Sequence, residues 1–206
     1  MRLRLGICGV AVAVVAGCGA EDGSEQQPLE SAVVHTTTAP VVSWRPGPSG
    51  LVVPVSSVDG PRESVPVPHG FSHSPQGAVL AAITAQAWMA GANDSTWPKV
   101  AEYLLEPGLG RTQWSQARAL MSVDGVVADP ARFVGFRFDS YSDDAAVVVV
   151  ATRWPDGLVT AYPVQLSHAT GSWRVVVPEQ DKAPDMQELT EDQLKDFVLF
   201  GETENK

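Results

Sequence analysis

Cysteine is scarce in this chain, as are basic residues, long apolar runs and catalytic motifs. The 206 residues include two cysteines, Cys8 and Cys18. Cys8 lies in an N-terminal segment that we expect to be removed, so the mature chain would keep a single cysteine and could form no internal disulfide. If the protein is exported, a single free thiol at its mature N-terminus would be unusual, which indicates that Cys18 is modified.

Basic residues are too few for a nucleic-acid partner. Lysine and arginine total 14 against 24 aspartates and glutamates, which gives a net charge of −10. Removing residues 1–17 takes away Arg2 and Arg4 but no acid, so the mature charge becomes −12. Such a surface repels phosphate backbones, and no basic stripe with interleaved aromatics is present.

Motifs of catalysis and metal binding are also missing. The chain has no nucleophile elbow, phosphate-cradling glycine loop or metallohydrolase pattern. His69 and His73 have no further ligands at zinc spacing. Asp139, Asp143 and Asp144 could hold Ca²⁺ at a strand turn, but a solvated acidic hairpin explains them as well. We therefore expect a non-enzymatic protein without cofactor or metal.

The N-terminus has the features of a secretory signal. Arg2 and Arg4 precede the apolar run 5–15, which is too short to span a bilayer as a helix. The sequence Val-Ala-Gly-Cys at 15–18 resembles the lipobox of bacterial lipoproteins, in which the cysteine is thioether-linked to diacylglycerol. The resemblance implies a signal peptide at 1–17 and acyl chains such as palmitate on Cys18. It places the protein at the cell membrane, lipid-anchored on the extracytoplasmic face. The alternative is a cysteine that happens to lie near a cleavage site.

Two polar or proline-rich segments follow. Residues 18–38 are acidic and rich in Ser, Thr and Gln, which predicts a flexible tether. Residues 39–70 contain seven prolines, so they exclude a helix, yet they carry enough valine to need cover. We expect an extended strap across the domain, which could add a short edge strand; a semi-rigid disordered stalk is the alternative.

The domain itself is predicted at 71–178 and begins with a buried helix. Ser74 is a suitable N-cap, Pro75 suits the first helical position, and Gly91 can end the helix. The residues between them are apolar nearly all the way round, so the helix should be surrounded by other elements.

Shorter helices and then strands are predicted after it. Helices are expected at 96–106 and 111–123, and strands at 134–138, 145–151, 158–166 and 172–177. The strand at 145–151 is continuously apolar, which is typical of a central strand covered on both faces. In the tail 179–206, Thr190 and Gln193 can form the capping box of a short amphipathic helix that Gly201 would close.

Three helices followed by four antiparallel strands resemble the α+β roll of NTF2-like and cystatin-like domains. The run Gly70-Phe71, followed by Ser-Pro-Gln-Gly-Ala-Val-Leu-Ala-Ala at 74–82, is similar to a family of uncharacterised exported proteins and lipoproteins. That family is typical of high-GC Gram-positive bacteria, often near integrative or conjugative elements. It implies an address and a fold but no activity.

Four polar residues are candidates for ligand or partner contact. Gln76 and Thr84 lie two turns apart on the buried helix and could bind a ligand or neighbouring backbone. Tyr162 and His168 lie on the predicted strands, and the fold resemblance would place them inside the cone between sheet and helices. An inward-facing Asp139 with His168 could serve as base and acid. The six tryptophans are expected to pack, with some exposed subset as a contact surface.

These patterns favour a membrane-anchored lipoprotein that acts as an interaction or assembly module of the envelope or of a conjugation apparatus. Its expected partners are membrane lipid, through Cys18, and an envelope protein. The alternatives are a module that binds a small apolar ligand in the cone, or a hydrolase or isomerase that uses the same cone.

Overall fold

The structure is a computed structural model, and it describes residues 34–201. The predicted signal peptide, the predicted acylation site Cys18 and most of the predicted tether lie outside the described residues. Among the helices of residues 34–201, none is both long and apolar enough to cross a bilayer.

Four α-helices and eight strands make up the described chain. The helices are α1 Pro75–Gly91, α2 Trp97–Tyr103, α3 Leu109–Ala119 and α4 Glu191–Leu194. The strands are β1 Ser43–Pro46, β2 Val52–Val55, β3 Arg132–Tyr141, β4 Ala145–Arg153, β5 Val159–Ser167, β6 Arg174–Val175, β7 Gln187–Glu188 and β8 Val198–Leu199.

Helix α1 confirms the predicted central helix. The Ser74 hydroxyl accepts a hydrogen bond from the Gly77 backbone N–H, and Pro75 occupies the first turn. Leu80 and Ile83 are completely buried. The helix ends at Gly91 because the next residue turns to an extended conformation, not because a left-handed glycine caps it.

The larger sheet confirms the α+β class. Its strand order is β6-β5-β4-β3-β8, and β7 pairs with β5 on the same edge as β6. All of these pairings are antiparallel. Helix α1 packs against one face of this sheet, where it contacts β3, β4, β5 and β6.

Strand β4 is covered on both faces, as its apolar run predicted. Val148 and Val150 belong to the main core, which is built around α1. Val149 belongs to a second cluster on the opposite face, together with Leu194 and Phe197 from the C-terminal segment. The two clusters explain why this strand alternates so little between apolar and polar residues.

The C-terminal helix prediction is only partly right. The capping box of Thr190 and Gln193 is present, but α4 is a single turn. The chain then forms β8, which pairs with β3, and Phe200 packs at 5.6 Å from Phe136 between ring centroids. The prediction that Gly201 closes a helix is wrong, because the residues before it, 198–200, hydrogen-bond to strand β3 instead of forming helical turns.

Residues 39–70 contain a hairpin of their own. Strands β1 and β2 pair with each other as a separate two-stranded sheet, joined by a short 3₁₀ turn at Pro48–Gly50. Trp44 of β1 makes an edge-to-face contact with Phe200, with ring centroids 5.5 Å apart. Val53 and Val67 are buried, so apolar residues of this segment do find cover.

Candidate functional site

The space between α1 and the large sheet is filled by side chains. Leu80, Ile83, Phe136 and Val148 are each fully buried there. The predicted base and acid are not brought together: Asp139 pairs with Arg137 at 3.0 Å, whereas His168 stacks on another histidine. Packed apolar side chains therefore fill the part of the described domain where Asp139 and His168 were predicted to face each other.

A small cavity opens at the edge of the sheet, where Tyr162 lies. Its volume is about 220 Å³, and its lining includes Met89 from α1, Trp114 from α3 and Tyr162 from β5. Burial raises the pKa of the Tyr162 hydroxyl. With its largely apolar lining, this cavity is a candidate small-molecule site.

Pro163 explains why the edge is open at this point. On the outer edge of β5, β7 pairs with Thr160 and Ala161, and β6 pairs with Leu166 and Ser167. Pro163 lies between these two pairings and has no N–H to donate to another strand. Pro163 therefore lies on a stretch of β5 that has no partner strand on this edge.

His168 belongs to an aromatic cluster beside the start of α1. Its ring stacks on His73, with centroids 3.8 Å apart and planes 8° from parallel. The buried Trp173 packs against His168 at 5.1 Å and against His73 at 6.0 Å. Burial, together with the charge of His73, lowers the pKa of His168, and Asp144 opposes that shift only partly. The stack therefore favours the neutral form of His168.

Sequence reasoning missed the pairing of these two histidines. It considered His73 with His69, but His69 packs on Tyr103 with ring centroids 4.4 Å apart. His73 and His168 are 95 residues apart, and the register of a sheet decides whether such positions meet. No local pattern could have shown it.

The two candidates on α1 have different surroundings. Gln76 donates hydrogen bonds from Nε2 to the carbonyl oxygens of His35 and Thr38, at 2.8 and 3.0 Å. It therefore fastens the start of the described chain to α1. The Thr84 hydroxyl is fully buried and has no hydrogen-bond partner among the described residues.

A loop rich in exposed apolar side chains joins α3 to β3. In this α3–β3 loop, residues 120–131, the exposed large apolar residues are Leu120 (89%), Met121 (60%), Val126 (78%) and Val127 (55%). The predicted helix at 111–123 stops earlier, at Ala119. Beyond that end the Arg118 guanidinium donates a hydrogen bond to the Met121 carbonyl at 2.8 Å, so this carbonyl is satisfied without a further helical turn.

Asp94 holds the first part of this loop in place. Its carboxylate accepts hydrogen bonds from the Ser122 hydroxyl, at 2.7 Å, and from the Val123 N–H. The guanidinium of Arg118, almost completely buried, donates to Asp94 at 3.0 Å. These hydrogen bonds, led by that of Ser122, lower the pKa of Asp94. The loop is thus a fixed feature of the surface.

Comparison with curated proteins and with solved structures finds no match to this chain. A family model described as a domain of unknown function, DUF8175, matches residues 11–198. That span includes every element from β1 to α4. The chain therefore belongs to the DUF8175 family.

Proposed function

We propose that this protein is a bacterial lipoprotein, held on the extracytoplasmic face of the cell membrane by acylated Cys18, whose domain acts as a non-enzymatic interaction module. Its setting would be the cell envelope or a conjugation apparatus. The finer fold assignment, an NTF2-like roll with residues 39–70 as a strap, belongs to the same proposal.

The packed interior of the domain is the observation that supports a non-enzymatic role. In an NTF2-like enzyme or ligand carrier, the working site would lie between the sheet and the helices. Here Leu80, Ile83 and Phe136 occupy that space at 0% exposure. An interaction role needs an exposed contact surface, and the exposed apolar α3–β3 loop provides one among the described residues.

The lipobox at 15–18 supports the anchor, and fatty-acid labelling tests it. Cells expressing the wild-type chain, Cys18→Ala or Cys8→Ala are fed an alkyne-tagged palmitate. We expect label on the wild type and on Cys8→Ala, because Cys8 is removed with the signal peptide. Cys18→Ala should be unlabelled and should leave the membrane fraction. An unmodified sulfur at Cys18 in the mass spectrum of the wild type would refute the anchor.

The interaction role needs its own measurement. Wild type is purified from membranes under mild detergent, Cys18→Ala is purified in the same detergent from the fraction in which it is recovered, and co-purifying molecules are identified by mass spectrometry. A specific protein enriched with the wild type supports the proposal. If neither form enriches a protein and a lipid or metabolite co-purifies instead, the assembly role is wrong.

The edge cavity favours a second candidate, the binding of a small apolar ligand. Met89 and Trp114 give it an apolar lining, and Tyr162 offers a hydroxyl. Its 220 Å³ is below the roughly 300–1,000 Å³ of typical ligand pockets. Native mass spectrometry would detect a bound compound, and Met89→Trp should exclude it by filling the cavity. The matched control, Met186→Trp, lies at an exposed position and should retain it.

A further inference from the structure

The α3–β3 loop is an unusual surface because its apolar residues are both exposed and held in place. Besides the hydrogen bonds of Asp94, the Val127 N–H donates to the Ser49 carbonyl at 3.0 Å. A methyl group on Gly50 would lie 2.8 Å from Val126, so the loop is closely packed on the turn of the β1–β2 hairpin. The side chains of Leu120 and Val126 are therefore exposed to water in this structure.

The loop lies at the opposite end of α1 from the point where the described chain begins. At the start of the helix, Gln76 binds the carbonyls of His35 and Thr38. At its end, the Gly91 carbonyl accepts a hydrogen bond from the Ser49 hydroxyl, and Ser49 in turn contacts the loop. A helix of 17 residues is about 25 Å long. The described chain therefore begins near one end of α1, and the loop lies near the other end.

Acidic groups accompany the apolar residues, and no basic group does within the loop. Residues 120–131 contain Asp124 and Asp129, both exposed, and neither lysine nor arginine. The carboxylate of Asp94, about half exposed, lies against the same loop, whereas the guanidinium of Arg118 is buried. Arg132, the residue after the loop, is also exposed, so the carboxylates of Asp94, Asp124 and Asp129 outnumber the exposed basic group beside the loop.

We propose that the α3–β3 loop is the docking surface for an envelope protein whose contact site combines an apolar depression with lysine or arginine residues around it. This deepens the proposed function and rests on it. Leu120 and Val126 would enter the depression, and the basic groups would face Asp124 and Asp129.

Charge distinguishes this occupant from two others. A second copy of the chain would bring Asp124 and Asp129 against the same acids, and like charges across an interface disfavour association. A bilayer with anionic head groups would repel the same carboxylates. A protein with a basic rim gains from the apolar contact and from the charges together.

Site-specific photo-crosslinking in the cells that produce the protein tests the docking surface. The full-length chain carries p-benzoylphenylalanine in place of Leu120 or, in a second strain, of Val126. The control replaces Val65, which is 80% exposed but lies on the 56–70 segment near the start of α1. We expect one discrete protein adduct from positions 120 and 126 and none from 65, with the captured peptide rich in lysine and arginine.

Two further variants separate apolar contact from charge. Leu120→Asp, combined with the probe at 126, should reduce the adduct about tenfold or more, as expected for loss of a central apolar anchor. Asp124→Lys should reduce it less and should weaken its dependence on salt. Circular dichroism of both variants checks that the fold is unchanged.

Each other outcome overturns the docking surface. An adduct of twice the chain's mass indicates a second copy, an adduct with lipid indicates the bilayer, and no adduct at 120 or 126 indicates a free loop. If position 65 captures a protein while 120 and 126 do not, the docking surface is wrong but the interaction role survives. Failure at all three positions, together with no enriched protein in the membrane pull-down, removes both.

Discussion

Replacing Thr84 by valine should stabilise the domain. Thr84 lies in α1 at 0% exposure, and its hydroxyl oxygen has no hydrogen-bond partner among the described residues. An unpaired buried hydroxyl costs about 1–3 kcal/mol, and valine has nearly the same shape without that group. Threonine and valine also have similar helix propensities, so the backbone should contribute little to the difference.

We expect Thr84→Val to raise the free energy of unfolding by about 1 kcal/mol, because part of the penalty is relieved by local relaxation. For a chain of this size, that corresponds to a rise of about 2–4 °C in Tm. The assay is thermal unfolding followed by circular dichroism, together with urea titration to confirm the sign at room temperature. An unchanged m value would show that the variant alters stability and not the compactness of either state.

Thr84→Ser is the matched variant. It keeps the hydroxyl and removes the methyl group, so it should destabilise the domain by about 1 kcal/mol through lost packing. If Thr84→Val instead lowers the Tm while Thr84→Ser preserves it, the hydroxyl makes a stabilising hydrogen bond. That result would refute the description of Thr84 as an unpaired polar group in a packed core.

Three further perturbations follow from the site and the packing. Asp94→Asn should destabilise the domain at neutral pH. The pKa of Asp94 is lowered, so the stability that its carboxylate contributes is present above the ordinary pKa of 3.8 and is lost as pH falls further. The difference in Tm between wild type and variant should therefore disappear in acid. The pKa of His168 is lowered, so the free energy of unfolding decreases as pH falls below the ordinary value of 6.5. Because His168→Phe removes the titrating group, its Tm should fall less than that of the wild type between about pH 7.5 and about pH 5.5. An equal fall in both proteins would contradict the role of the stack. Gly110→Ala should lower the free energy of unfolding in urea by about 1–3 kcal/mol. A methyl group there would collide with the Val177 carbonyl oxygen and lie 2.8 Å from the Pro178 oxygen. A stabilised variant would show that α3 can move away without a loss of stability.

The central helix could be predicted because its signals are local. Ser74 and Pro75 mark its start, and an apolar circumference requires cover whatever the partner is. The apolar run of β4 likewise predicted a covered strand, although the sequence could not show that α4 and Phe197 provide the second cover. Local chemistry identified which elements are buried but not what buries them.

The failures concern residues whose role depends on distant contacts. Leu194, Phe197 and Val198 fit a helical stripe, yet β8 forms because the free edge of β3 is available to pair with it. The stacked pair of His73 and His168 depends on the register of the sheet. In each case the deciding contact joins positions that sequence spacing does not relate.

The contact between Trp44 and Phe200 joins the two ends of the domain. A ribosome or an export channel releases a chain from its N-terminus, so this pair cannot form until Phe200 has emerged. Until then, Phe136 lacks one of its aromatic neighbours. A premature stop codon before residue 200 would therefore leave both Trp44 and Phe136 without this contact.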